Sequence, residues 1–269
     1  MTRENLSTLA AAKKRIDDIL DSSHEDRVYA VFDFDNTCIH HDIGEAVLAH
    51  LCRKKLLRSN ALLPDLNPVS KEEYAHALFH HYWRLMDSGE KERAYLVAAG
   101  ALAGYRADAL DGIVRETLKY EGDILGKTDL FGRKIAKGLR AKEAARMILE
   151  YLARKGVKCW IVSASLQGLV QAMVSRLFGD FDLHVIGVRM EESSRVLGTK
   201  VLSPAPMFGG KVDCIKTYID PTVRPILVAG DSEGDLAMLE YAQIRIVIDV
   251  GSPLARRIRD NKPKDWYVL

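Results

Sequence analysis

The chain has 269 residues, of which 48% are hydrophobic and 28% charged, the composition of a globular protein with enough apolar material for a real core. A formal net charge of +2, with basic clusters scattered at Lys13 to Arg15, Arg53 to Lys55 and Arg256 to Arg259, gives no footprint for nucleic acid, and no such partner is expected. Four separated cysteines with no CxxC pair, and an N-terminus without a continuous apolar run, argue against a disulfide scaffold, a signal peptide and a membrane span, so a cytoplasmic location is expected.

Leu6, Leu9, Ile16 and Leu20 fall at helical spacing and predict an amphipathic helix ahead of the first strand. Val28 to Phe32 is then a short apolar, β-branched and aromatic run, the pattern of a strand buried in a parallel sheet. It ends in two acids one residue apart, Asp33 and Asp35. Carboxylates at a buried strand end are costly unless paired or metal-bound, and that end is where open α/β sheets place their ligand crevice. A plain turn around Asn36 needs one such acid rather than two.

From Ile43 to about Gly122 only helical periodicity is present. Ile43, Val47, Leu48 and Leu51 share a face, and Ser70 with Glu73 makes a capping box before Tyr74, Leu78, Tyr82 and Leu85. Residues 42–137 therefore read as an all-helical cap inserted into an α/β core made of 1–41 and 138–269. Around Arg140 the alternation of helix and strand resumes. A helix stopped by Gly156 precedes a strand over Val157 to Val162 that ends in Ser163-Ala164-Ser165; another helix follows to Phe178. His184 to Val188 reads as a strand, Glu191 to Ser203 as a ribbon through Leu197-Gly198, and Val212 to Ile219 as a helix. Pro225 to Ala229 and Ile244 to Ile248 are further strands, the first ending at Gly230-Asp231-Ser232-Glu233-Gly234-Asp235. Strands separated by helices predict a doubly wound, Rossmann-like parallel sheet.

Several motifs are rejected on their own residues. Gly230 to Gly234 fits the G-x-S-x-G nucleophile elbow around Ser232, but a serine hydrolase of that type needs a later histidine, and the last one is His184. Gly210-Lys211 lacks the Ser/Thr and the upstream glycine of a P-loop, and a calcium loop from Asp33 would need glycine where Cys38 stands. His76 and His80 share a helix face without a third zinc ligand nearby, which favours an exposed pair. A phosphate-plus-metal site remains coherent. Asp33, Asp35 and Asp231, each at a strand end, offer the hard oxygen ligands that Mg²⁺ requires. Ser163, Lys211 and Asn36 are candidate phosphate partners, a hydroxyl, a compact positive charge and a turn amide.

Asp33-Phe34-Asp35-Asn36-Thr37, the strand-closing Ser163, Lys211 and Gly230 to Asp235 resemble, in order, the four motifs of the haloacid dehalogenase-like (HAD) superfamily, and they span most of the chain. Within it, Ser163-Ala164-Ser165 and the acid at Asp42 are most similar to the phosphoserine phosphatase and phosphorylcholine phosphatase branch. The resemblance implies an aspartyl-phosphate on Asp33 and Mg²⁺ held by the carboxylates of Asp33 and Asp231 and the backbone carbonyl of Asp35. Asp235 then acts from behind these ligands on a metal-bound water, and Ser163 and Lys211 neutralise the transferring phosphoryl group. The second acid selects phosphoryl chemistry, because expelling an alkoxide needs a general acid and expelling halide does not.

The interval from Asp33 to Ser163 is far longer than that from Ser163 to Lys211, so the cap lies between the first two motifs. A cap that closes over the site favours small phosphomonoesters. Asp42, at the start of the insertion, either contacts a substrate amine or simply caps the helix beginning near Ile43. Two substrate readings stay open. Tyr74, Phe79, Tyr82, Trp83, Tyr95 and Tyr105 are available for a quaternary-ammonium cage, while Arg84, Arg93, Arg106, Arg115 and Arg189 are candidates to hold the carboxylate of phosphoserine. A phosphotransferase would use the same catalytic residues.

Overall fold

A computed structural model describes residues 2–22, 27–68 and 70–269. The expected first helix is α1 (Arg3–Ser22), with Leu9, Ala12, Ile16 and Ile19 on its buried face, and β1 (Tyr29–Phe32) follows. The insertion contains α2 (Ile43–Lys54), α3 (Lys71–Asp87), α4 (Lys91–Gly100) and α5 (Leu110–Glu121). It ends in a hairpin, β2 (Gly126–Leu130) and β3 (Arg133–Lys137), which helical periodicity does not reveal. Its two-residue turn, Phe131-Gly132, has both residues at positive φ, the geometry that matches strand twist.

The core resumes with α6 (Glu143–Arg154), β4 (Lys158–Leu166), α7 (Gln167–Leu177) and β5 (Leu183–Val188). A ribbon of β6 (Met190–Ser193) and β7 (Val196–Val201) comes next. It turns at Ser194-Arg195, both at positive φ, and passes through Leu197-Gly198 within β7. The chain finishes with α8 (Gly210–Tyr218), β8 (Leu227–Gly230), α9 (Leu236–Glu240), β9 (Ile244–Val247), α10 (Pro253–Asn261) and β10 (Trp266–Val268).

The six strands of the main sheet are ordered β10-β9-β8-β1-β4-β5 and all pair in parallel. Because successive side chains of β1 point to opposite faces, Ala30 and Phe32 enter one apolar core while Tyr29 and Val31 enter a second one behind the sheet. A strand apolar on both faces is what a doubly covered parallel sheet requires. The two chain segments that join insertion to core run antiparallel: His40 N–H donates to the Arg140 carbonyl and Lys142 N–H to the Cys38 carbonyl (2.9 and 2.8 Å). On its far side the insertion adds backbone bonds to the ribbon, Gly104 N–H to Leu197 O and Ala107 N–H to Arg195 O (2.8 and 2.9 Å). All four cysteines are free and buried. No helix among the described residues is long and apolar enough to cross a membrane.

Candidate active site

Asp33 is the first residue beyond β1, and its N–H extends the ladder by donating to the Ala229 carbonyl of β8 at 2.9 Å. Asp231 is the first residue beyond β8, so pairing of these adjacent strands sets the two carboxylates side by side. Lys211, in the first turn of α8, places its Nζ 2.6 Å from Asp33 Oδ1 and 2.6 Å from Asp235 Oδ1, with all three side chains less than a tenth exposed. Asp235 is fully engaged, because its Oδ2 accepts the N–H groups of Asp231 and Ser232 at 3.0 and 3.2 Å. This close approach requires glycine at 230: a Cβ there would lie 2.9 Å from that same oxygen. Thr37 Oγ1 donates to Asp231 Oδ1 (3.4 Å) and Ser252 Oγ to the Asp231 carbonyl (2.7 Å), which fixes the last acid of the group.

Oxygen atoms of Asp33, Asp231 and Asp235 all lie within 4.8 Å of one another. Burial holds both the Asp33 and Asp231 carboxyls above the ordinary carboxylate range, opposed at Asp33 by the Lys211 charge and reinforced at Asp231 by Asp235. One buried ammonium among three buried acids leaves excess negative charge, and Asp33 Oδ2 has no hydrogen bond among the described residues. Hard oxygen donors with unmatched negative charge fit a divalent cation such as Mg²⁺. The Asp35 carboxylate is not in this group, so only its backbone is available to a metal there.

Asp35 instead turns toward the insertion. Its Oδ1 accepts the N–H of Ile43, the first residue of α2, at 2.8 Å, and its Oδ2 accepts the hydroxyls of Ser165 and Ser163 at 2.7 and 3.2 Å. Burial and the neighbouring Asp42 push its carboxyl up to about 8, against the three hydrogen bonds it accepts, the direction that suits a general acid. Ser163, expected to face phosphate, is wholly buried; it donates to Asp35 and accepts the Ser165 N–H at 3.0 Å. Ser165 reaches the cavity in its place.

The acids open into a cavity of about 80 Å³ between sheet edge and insertion. Asp33, Asp35, Asn36, Asp42, Lys211, Asp231 and Asp235 line it, joined from the insertion by Tyr82, Tyr95, Ala98 and Ala99 and from the core by Leu166, Leu169 and Phe208. Asp42 Oδ1 caps α2 by accepting Glu45 N–H at 2.8 Å, as the second reading expects, and the residue also lines the cavity. Of the six aromatic candidates only Tyr82 and Tyr95 line this space. Tyr105 bonds the Leu56 carbonyl, while Trp83 stacks under Arg133 and against Phe79. None of the arginine candidates lines it: Arg84 meets His81, Arg93 meets Glu90, Arg106 meets Asp108, Arg115 meets Glu116 and Arg189 meets Tyr218. His76 and His80 stack on each other at 4.3 Å on an exposed face. Ser232 faces the cavity without a histidine beside it. Phe208, at φ 49°, and Glu45, hydrogen-bonded by the Tyr82 hydroxyl, are residues that sequence reasoning passes over.

The raised acids set a pH dependence. Asp35 and Asp42 move from an ordinary value near 3.8 up to about 8 and about 7 in the fold, so the folded state holds protons that the unfolded state has released between those limits. Stability is therefore fully present below about pH 4 with respect to these two groups and declines as pH rises through 7 to 8. Metal-free protein is expected to show a falling Tm from pH 5 to pH 8.5; a Tm rising steadily over that range would contradict the upward shifts of Asp35 and Asp42.

Comparison with known proteins agrees with this geometry. A sequence profile for haloacid dehalogenase-like hydrolases matches residues 30–240. A phosphorylcholine phosphatase of Pseudomonas aeruginosa is 26% identical, covering 83% of this chain and 73% of its own. Among solved structures, a protein of unknown function from Anaerococcus prevotii superposes with a TM-score of 0.74 at 19% identity (99% of this chain, 93% of that one). A substrate-bound phosphoserine phosphatase gives 0.54 at 11% identity (91% and 94%), which shows a shared fold. With the motifs at adjoining strand ends and the profile covering most of the sequence, the chain belongs to the haloacid dehalogenase-like hydrolase family.

Proposed function

We propose that the protein is a Mg²⁺-dependent phosphatase that hydrolyses a small amino-alcohol phosphate, and that residues 42–137 form its cap. The observation that carries this reading is the pairing, in one cavity, of a Lys211-bound Asp33 with an Asp35 turned to Ser163, Ser165 and the start of α2. Asp33 Oδ2 attacks phosphorus, forming an acyl phosphate as the ester P–O bond breaks, and Asp35 gives its proton to the departing alkoxide. Asp35 then takes a proton from water, which attacks the phosphorus of phospho-Asp33; the P–O bond to Asp33 breaks and inorganic phosphate leaves. Lys211 balances charge on the transferring group, with Asn36 beside it. Mg²⁺, held by the carboxylates of Asp33 and Asp231 and the Asp35 carbonyl, would neutralise phosphate charge.

The cavity wall narrows the leaving group. Phosphoserine would bring a carboxylate, yet no arginine lines the cavity to hold it, and an acid, Asp42, stands there instead. A cation, by contrast, meets Asp42, the rings of Tyr82 and Tyr95, and the apolar surface of Ala98, Ala99, Leu166 and Leu169, a setting that suits a substituted ammonium. Phosphocholine and phosphoethanolamine are therefore favoured, in line with the similarity to a phosphorylcholine phosphatase. Asp42→Asn tests this cleanly because asparagine caps a helix as well as aspartate. It is expected to raise KM for phosphocholine about tenfold or more while leaving an aryl phosphate nearly unchanged. An unchanged KM for both would reject amine recognition and leave the phosphatase assignment standing.

A further inference from the structure

Phe208 lines the cavity from the core side, and no step of the scheme uses it. It lies in the segment leading from β7 into α8, and its φ of 49° is in the left-handed region. That region is costly for any residue with a Cβ, and strain of this kind gathers at ligand sites. Two glycines follow directly, and neither takes the strained conformation. Gly209 has φ −58° with open space where a Cβ would stand, and Gly210 is not at positive φ but is needed for close packing, since a Cβ there would lie 2.2 Å from the Ala205 carbonyl oxygen. Glycine at 208 would adopt the same backbone freely, yet the chain carries a ring there. The Phe208 carbonyl accepts Lys211 N–H at 3.1 Å, which ties the residue to the first turn of α8. Its half-buried ring reaches over the loop that carries Asp231 and Asp235: a Cβ at Gly234 would lie 3.9 Å from Phe208 Cε1. Tyr82 and Tyr95 line the same cavity from the insertion.

We infer that Phe208 is a specificity residue whose strained backbone holds its ring as the core-side wall of the leaving-group pocket. The ring packs on the apolar surface of the leaving group and gives nothing to the phosphoryl group, which meets the acids and Lys211. This rests on the phosphatase reading but not on the identity of the amine. Removing the ring should therefore weaken binding of esters and spare inorganic phosphate. A residue that merely shaped the start of α8 would move both, because Lys211 would shift with it.

The test compares wild type, Phe208→Gly, Phe208→Ala and Phe208→Tyr in Tm, in KM for phosphocholine and for an aryl phosphate, and in Ki for inorganic phosphate. Phe208→Gly should melt about 2 °C or more above Phe208→Ala, the reverse of the usual order, because only glycine takes the left-handed backbone freely. Both should raise KM for each ester about tenfold, the effect of losing a partly buried ring contact, while Ki for phosphate stays within about twofold of wild type. Phe208→Tyr, which keeps the ring, should retain the wild-type KM. Unchanged ester KM in Phe208→Gly and Phe208→Ala, or a phosphate Ki rising in step with it, would overturn the inference. So would Phe208→Ala melting at or above Phe208→Gly, a loss in Phe208→Tyr as large as in Phe208→Gly, or failure of Phe208→Gly to fold. Absence of hydrolysis of either ester by wild type would instead overturn the phosphatase reading, and hydrolysis of the aryl phosphate alone would overturn only the choice of amine.

Discussion

Asp33→Asn is expected to lower kcat on every phosphomonoester by about 10,000-fold or more, since removing a nucleophile has effects of that order. The variant should still fold. Lys211 keeps Asp235 as its partner at 2.6 Å, the backbone bond from residue 33 to Ala229 does not involve the side chain, and the amide is isosteric with the carboxylate it replaces. The measurement is single-turnover hydrolysis of an aryl phosphate, with acid quench and peptide mapping for a phosphoryl group on residue 33. Wild type should accumulate it and the variant should not. An aryl phosphate is the right substrate because its good leaving group needs little help from Asp35, so a loss of rate reports on attack alone.

Lys211→Met is expected to lower activity less than Asp33→Asn does but, unlike it, to weaken the fold. The ammonium is shared by two buried carboxylates, and taking away one partner of a buried ion pair costs about 3–5 kcal/mol, because the remaining charges are left uncompensated. Asp235 would lose its hold on Lys211 but keep the N–H groups of Asp231 and Ser232, so the loop after β8 should survive. Denaturant unfolding in EDTA checks the stability loss. Activity should fall by several hundredfold or more, in the range seen when one charge-stabilising donor is removed. A variant of wild-type stability would mean that Lys211 is not the shared partner of Asp33 and Asp235.

The acids and the sheet were legible in the sequence for one physical reason: a strand buried on both faces is a continuous apolar run, and polar residues at its end stand out. Asp33 and Asp231 follow from that contrast, and their meeting follows from parallel pairing of β1 with β8. Side-chain direction is less visible. β4 runs on to Leu166, with a register shift against β5 between Val162 and Leu166, and this irregularity accompanies a Ser163 hydroxyl turned to Asp35 while Ser165 reaches the cavity. No alternation rule shows such a shift. The insertion is harder still, since Tyr74 and Tyr82 lie on one face of α3 and only tertiary packing brings the second, and not the first, to the site. Glu45 was hidden by its ordinary position in the first turn of α2, and β10 by its length of three residues at a sheet edge.

The central claim is hydrolysis of a cationic phosphomonoester with the help of a divalent metal. It is tested most directly by measuring kcat/KM for phosphocholine, phosphoethanolamine, phosphoserine and a hexose phosphate, each in Mg²⁺ and in EDTA. The geometry predicts that the first two exceed the others by about tenfold or more, as expected when one charged contact is gained or lost, and that EDTA abolishes turnover of all four. Equal rates in Mg²⁺ and EDTA, or a preference for phosphoserine or the hexose phosphate, would contradict the account.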